Sequence, residues 1–197
     1  MRLKDEQKER TIREKAIAMI VREGLDGLSM QKLAREAKVS PATLYIYFKD
    51  RDDLIIQLCL EENKKMMEAT IKNFKPDMSL EEGLKVQWVN RAEFALKHPV
   101  SMSFLEQIRH SPYDDKASKL MDPSFRNAMC DFVKNNVERN ELARMPVEVY
   151  WALAYSPLYQ LIKYHSQGRG KPGWDPFTLT EEILMETLSK VVKSLKP

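Results

Sequence analysis

Residues 39–51 read VSPATLYIYFKDR and place hydroxyls on Ser40, Thr43, Tyr45 and Tyr47, an ammonium on Lys49 and a guanidinium on Arg51. Groups of this kind donate hydrogen bonds, and a set of them on one short segment suits a partner rich in anionic and carbonyl-type acceptors. The rest of the chain offers no rival chemistry. The three histidines, His98, His110 and His165, are scattered, and no Ser-His-Asp, Cys-His or metal-ligand spacing is visible. No glycine-rich loop has the spacing that cradles a phosphate. The reading is therefore a protein that binds rather than catalyses, with no catalytic residue, cofactor or metal expected.

The elements that must position these residues follow from periodicity and capping. Segment 5–23 repeats Ile12, Ala16, Met19 and Ile20 on one face and stops near Gly24 and Gly27. Ser29 caps a short helix whose Met30, Leu33, Ala34 and Ala37 share a side. After the turn Lys38-Val39, Ser40 is the next N-cap and Pro41 takes the first helical position, where its missing N–H costs nothing. This third helix covers about 41–47. Asp50 caps a fourth, with Leu54, Ile55, Leu58 and Cys59 on its apolar side, which reaches about 74, where Lys75-Pro76-Asp77 breaks it. On the third helix Leu44 and Phe48, four apart, turn inward to Leu33, Ala34 and Val39. Ala42, Thr43, Tyr45, Ile46 and Lys49 then face outward, with Tyr47 at the edge. An exposed isoleucine gains nothing in water. Beside a DNA major groove it touches a thymine methyl, while the hydroxyls meet phosphates or base edges.

The run LSMQKLAREAKVSPATLYIYFKDRDDL resembles the DNA-binding signature of the TetR family of bacterial repressors. Val39, Ser40, Thr43, Leu44, Tyr45, Tyr47, Phe48 and Leu54 stand where that pattern expects them, and the likeness covers about residues 10–60. It implies that Thr43, Tyr45 and Ile46 approach bases, that Tyr47, Lys49 and Arg51 hold the backbone, and that Ser29, Ser40, Pro41 and Ala42 lie at the same surface. Two positions depart from the pattern. Lys38 replaces a common glycine in the turn, so a residue with a Cβ must tolerate that backbone geometry. Arg51 replaces the usual lysine, keeping the charge but changing its geometry.

Beyond Pro76 the texture shifts to methionine and aromatic residues, with prolines at 99, 112, 123, 146, 157, 172 and 176 marking boundaries or kinks. Helices are expected at 79–97, 100–110, 124–140 with a lead-in from 114, 146–166 and 178–195, the last opened by a Thr178/Glu181 capping box. Residues 168–173, GRGKPG, read as a linker. The family's second half senses a ligand and dimerises, which makes Trp88, Phe94, Met102, Phe104, Met121, Phe125, Met129, Trp151 and Tyr155 candidates to line a pocket. Such residues at helical spacing are also what an ordinary core contains. Gln87, Asn90, Glu93, Gln107 and Tyr150 are polar candidates for orienting a ligand. The last two helices are apolar around much of their circumference, as a two-fold interface requires.

Composition agrees with an all-α protein. Hydrophobic residues are 43% and charged residues 31%, with only 6 glycines, which excludes a disordered or loop-rich chain. The total charge of +3 is small but uneven: residues 1–49 hold eleven Lys and Arg against seven Asp and Glu, a net +4. No stretch has signal-peptide or membrane-span character, so a cytoplasmic protein with no membrane partner is expected. Cys59 and Cys130 both read as buried packing thiols. The expected organisation is a three-helix helix-turn-helix domain, 1–50, followed by a helical ligand-sensing and dimerisation domain, 51–197. Its function would be that of a homodimeric repressor that releases a palindromic operator in double-stranded DNA when a small-molecule effector binds. A constitutive DNA-binding regulator without effector is the alternative.

Overall fold

The structure, a computed structural model, describes residues 2–168, 173 and 175–197, with side chains from residue 6 onward. Of the linker expected at 168–173, residues 169–172 lie outside the described residues. Ten α-helices and one 3-10 turn account for the regular structure, and no strand occurs among the described residues. The chain packs as two compact units, Met1–Lys65 with His98–Met121, and Met66–Lys97 with Asp122–Pro197.

In the first unit α1, Arg2–Glu23, buries Ile12, Ala16, Met19 and Ile20 completely, as their spacing requires. Gly24 ends it by turning to φ 76°, and Leu25–Gly27 makes the 3-10 turn. The short α2, Met30–Glu36, starts where Ser29 Oγ accepts the Lys32 N–H at 3.2 Å. Lys38 then takes φ 55°, the left-handed turn geometry that the sequence assigned to a residue with a Cβ. The next helix, α3, is Pro41–Tyr47, and Ser40 Oγ accepts the Thr43 N–H at its start. Leu44 and Phe48 are fully buried, each burial contributing about 1.5–3 kcal/mol. Asp50 Oδ1 accepts the Asp53 N–H and so caps α4, Arg51–Thr70, which begins in the first unit and ends in the second. Helices α6, Pro99–Arg109, and α7, Pro112–Ser118, complete the first unit, with α6 against α1. The lead-in expected from 114 is thus a helix of its own.

The second unit is built on α5, Leu80–Lys97, α8, Ser124–Glu138, α9, Val147–Ser166, and α10, Glu181–Leu195. Helices α5, α9 and α10 pack on one another. Helix α8 meets α5 at Gly83, where an added Cβ would stand 2.2 Å from the Phe132 ring. Helix α9 is continuous through Pro157, as the expected helix 146–166 requires. One expectation is corrected in this unit: α10 is capped by Thr180, whose Oγ1 accepts the Ile183 N–H, rather than by Thr178. The apolar side of α10, namely Leu184, Leu188, Val191, Val192 and Leu195, is buried inside the unit.

Candidate nucleic-acid interface

The outward side of α3 is built as its spacing requires. Tyr45 is 56% and Ile46 77% exposed, while Leu44 and Phe48 between and beyond them are at 0%. Ala42, Pro41 and Lys49 are also exposed, and Thr43 and Tyr47 are half-buried at the rims. The helix is held from beneath by packing and from the side by Arg13 of α1. Its guanidinium lies 5.1 Å from the Phe48 ring centre, binds Glu9, and reaches Gln57 of α4 at 2.8 Å. Ser40 has two tasks: its Oγ takes the Thr43 N–H and shares a hydrogen bond of 2.9 Å with the Thr43 hydroxyl. Ser29 likewise caps its helix. Both serines are therefore structural caps that sit at the exposed surface.

Arg51 is employed differently from the outward phosphate contact its position implied. Its Nε donates to Leu28 O at 2.9 Å, its Nη2 to Leu25 O at 2.5 Å and its Nη1 to the Tyr113 hydroxyl at 3.0 Å. Tyr113 in turn donates to Asp52 at 2.6 Å, a bond that holds the Asp52 carboxyl below its usual range. The guanidinium clamps the loop ahead of α2, and little of its charge is presented outward. A lysine could not serve three acceptors in one plane in this way.

The nine candidates for pocket lining fall in both units. Met102, Phe104 and Met121 belong to the first unit, and the other six to the second. Phe94 and Met129 are buried, and Phe125 is half-buried. Trp88, fully buried on α5, donates its Nε1–H to Ala154 O of α9 at 2.9 Å. Trp151 and Tyr155 of α9 pack ring to ring at 4.6 Å. Of the polar candidates, Asn90 binds the carbonyls of Thr70 and Lys72 at the end of α4, Gln107 binds Val21 O, and exposed Glu93 pairs with Lys97. Gln87 is fully buried, and its Oε1 accepts the Tyr155 hydroxyl at 2.7 Å. A groove of about 400 Å³ in the second unit is lined by Val133, Val137, Leu142, Met145, Val147 and Tyr150, among others. None of the nine is among its lining residues, whereas Tyr150 is.

The sequence reading missed Arg91. It is 3% exposed, under the rings of Trp151, Tyr155 and Tyr159, 5.4, 4.5 and 5.9 Å from their centres. Its spacing held the signal, because positions 84, 88, 91 and 95 form one helical stripe and a single arginine interrupts Leu84, Trp88 and Ala95. Burial pushes the Tyr150 hydroxyl well up from its ordinary value and raises that of Tyr155, so both phenols stay neutral around Arg91.

Cysteine placement splits. Cys59 is buried, and burial pushes its thiol up to about 12, which leaves it inert. Cys130 is exposed on α8, contrary to the expectation that both would pack inside.

A compact three-helix head that exposes one side of a capped short helix is a helix-turn-helix of the kind found in transcription regulators. Residues 12–58 match the family model described as bacterial regulatory proteins, tetR family. Over 94 residues the chain is 35% identical to an uncharacterized HTH-type transcriptional regulator of Haemophilus influenzae, covering 48% of this chain and 50% of that one. Over 69 residues it is 29% identical to the fatty acid metabolism regulator protein of Bacillus subtilis, covering 35% of this chain and 36% of that one. The matched segments thus span half or less of these curated relatives. A TetR family transcription regulator of Marinobacter aquaeolei superposes with a TM-score of 0.83 over 100% of this chain and 99% of that one, at 22% identity, a likeness of fold. Residues 12–58 thus match the tetR-family domain, and the chain as a whole shares the fold of a TetR family regulator. No helix among the described residues is long and apolar enough to cross a membrane.

Proposed function

We propose that the chain is a homodimeric, effector-controlled repressor that reads a palindromic operator through two copies of α3. The observation that carries this reading is the exposure of Tyr45 and Ile46 on a helix whose other side is locked by Leu44 and Phe48. In water that arrangement wastes an isoleucine. In the major groove Thr43, Tyr45 and Ile46 meet base edges and a thymine methyl, and Tyr47 and Lys49 hold phosphates. Ser29, Ser40, Pro41 and Ala42 lie at the same surface, and Arg51 acts through the loop it clamps. One two-turn helix makes too few contacts for specific affinity, so duplication across a two-fold axis doubles them over half-sites spaced by whole helical turns.

For the partner copy, α9 leaves exposed apolar residues on two sides after the unit has packed, Val147 with Trp151 and Val149 with Leu153. The functional division at 50/51 separates reading head from sensor, with α4 starting directly at the division. An effector that binds better to the arrangement in which the heads do not fit the operator shifts the population away from DNA, to the extent of its differential affinity.

The test is binding to operators selected from randomised duplexes and followed by fluorescence anisotropy across a salt series. Tyr45→Ala is expected to weaken the selected site by about 10–100-fold, the equivalent of about 1–3 kcal/mol for a base contact, and to relax specificity. Lys49→Gln is expected to lower the salt slope by about one with little loss of specificity. Unchanged affinity and slope in both variants would remove α3 as the reading element.

A further inference from the structure

The effector reading above leaves the chemistry of the effector open, and Arg91 narrows it. A charge in a protein interior costs stability unless an opposite charge and hydrogen bonds compensate it. Arg91 has one hydrogen bond, from Nη1 to the Tyr159 hydroxyl at 2.5 Å, and three aromatic faces. Its Nε and Nη2 are buried with no hydrogen-bond partner, and among the described residues no carboxylate pairs with it. The neighbouring phenols stay neutral and cannot balance it.

The unpartnered atoms are a matched pair. On a guanidinium the Nε–H and one Nη2–H point the same way and form a fork whose spacing fits a carboxylate. This chain uses that edge elsewhere for that purpose. Arg13 holds Glu9 Oε1 with Nε at 3.0 Å and Nη2 at 2.7 Å, and Arg22 holds Glu23 Oε1 with the same two atoms at 2.9 and 2.7 Å. Arg91 presents the same edge, buried and without a hydrogen-bond partner. One helical turn earlier on α5, Gln87 adds a third buried donor without a partner, its Nε2, while its Oε1 is occupied by the Tyr155 hydroxyl.

The geometry points to a buried receptor for the carboxylate of a small organic acid, between α5 and α9. The Arg91 fork takes the two carboxylate oxygens, Gln87 Nε2 donates a further bond, and the faces of Trp151 and Tyr155 cover the apolar carbon next to the acid group. Three donors suit a carboxylate better than a phosphate, whose additional oxygens would be desolvated without partners among these rings. This inference rests on the effector reading, and it is tested without DNA so that the two can fail separately.

The experiment is titration calorimetry on the purified chain with benzoate, phenylacetate, hexanoate and decanoate, each against its own primary amide, and with chloride and inorganic phosphate alone. At least one acid is expected to saturate at one per chain and to bind 30-fold or more tighter than its amide. Arg91→Met should abolish that preference, Arg91→Lys should reduce it by at least 10-fold, and Gln87→Leu should weaken the acid by about 3–10-fold, all with helical circular dichroism retained. The acid-against-amide comparison on the unaltered chain stands even if a variant fails to fold.

The inference is overturned if no acid binds, if acids and amides bind alike, or if phosphate or chloride saturates the site and acids do not displace it. It is also overturned if Arg91→Met turns the dimer into a monomer while acid binding to the unaltered chain is absent, which would give Arg91 to the partner subunit. An acid that binds by these criteria without changing operator affinity would uphold the receptor and sink the effector reading. An uncharged effector that releases the operator would do the reverse.

Discussion

Helices α3 and α5 break the ordinary rules of burial in opposite directions. The first puts an isoleucine 77% into solvent, and the second puts an arginine 97% out of it, at 3% exposure. Around each exception the surroundings obey the rules: Leu44 and Phe48 are buried beneath Ile46, and Leu84, Trp88 and Ala95 lie on the stripe of Arg91. Apolar residues inside and charges outside are the default, and a well-packed helix that departs from it at one residue marks a place shaped for a partner. What differs is the kind of partner. A protruding, hydroxyl-rich ridge suits a broad groove, whereas a recessed fork of donors suits something small enough to be enclosed.

This contrast can be broken from either side by removing what supports each exception. The largest effect is expected for Leu44→Ala, which empties a fully buried site under α3 and should cost about 2–5 kcal/mol by chemical denaturation, with operator binding lost as the head loosens. A head that keeps full stability would mean that α3 is not held from within. Gly83→Ala comes next, because its Cβ would meet the Phe132 ring at 2.2 Å. Overpacking of about 1–3 kcal/mol is opposed by about 1 kcal/mol of gained helix propensity, so a net loss of up to about 2 kcal/mol should appear in thermal unfolding. A stabilised variant would show that α5 and α8 are free to separate. The smallest effect has the opposite sign. Lys38→Gly should raise stability by about 0.5–1 kcal/mol by relieving the left-handed turn, with operator affinity kept within a few-fold if Lys38 has only a structural role.

Much of the first exception could be read from residues alone. Ser40-Pro41 set the start of α3, the Leu44/Phe48 pair set its inner side, and the structure reproduces 41–47. The same Ser-Pro signature recurs at Ser111-Pro112 and starts α7, where Ser111 Oγ accepts the Tyr113 N–H. From the sequence that segment reads only as an irregular or helical lead-in from 114, because seven residues with three charges carry almost no apolar period.

Pro157 does not end α9, for a physical reason. It removes the donor for Leu153 O, but Leu153 and Ser156 face solvent, so water can satisfy that carbonyl and the helix continues. The cap of α10 was ambiguous because Thr178 and Thr180 are equal as residue types, and only the phase of the buried stripe from Leu184 decides between them. The signal at Arg91 was weak because a lone charge on a helix is ordinarily solvated, and its burial depends on α9, some sixty residues later in the chain. Cys130 shows the converse: its neighbourhood reads as apolar, but its own position on α8 turns it to the surface.

The clamp made by Arg51 has a consequence for how this head can be altered. One planar group fastens the carbonyls of Leu25 and Leu28 and the phenol of Tyr113 to the first residue of α4. Exchange for lysine would lose the planar arrangement that holds these acceptors at once. Grafts of α3 onto another helix-turn-helix scaffold should therefore carry residues 25, 28, 51 and 113 along with it.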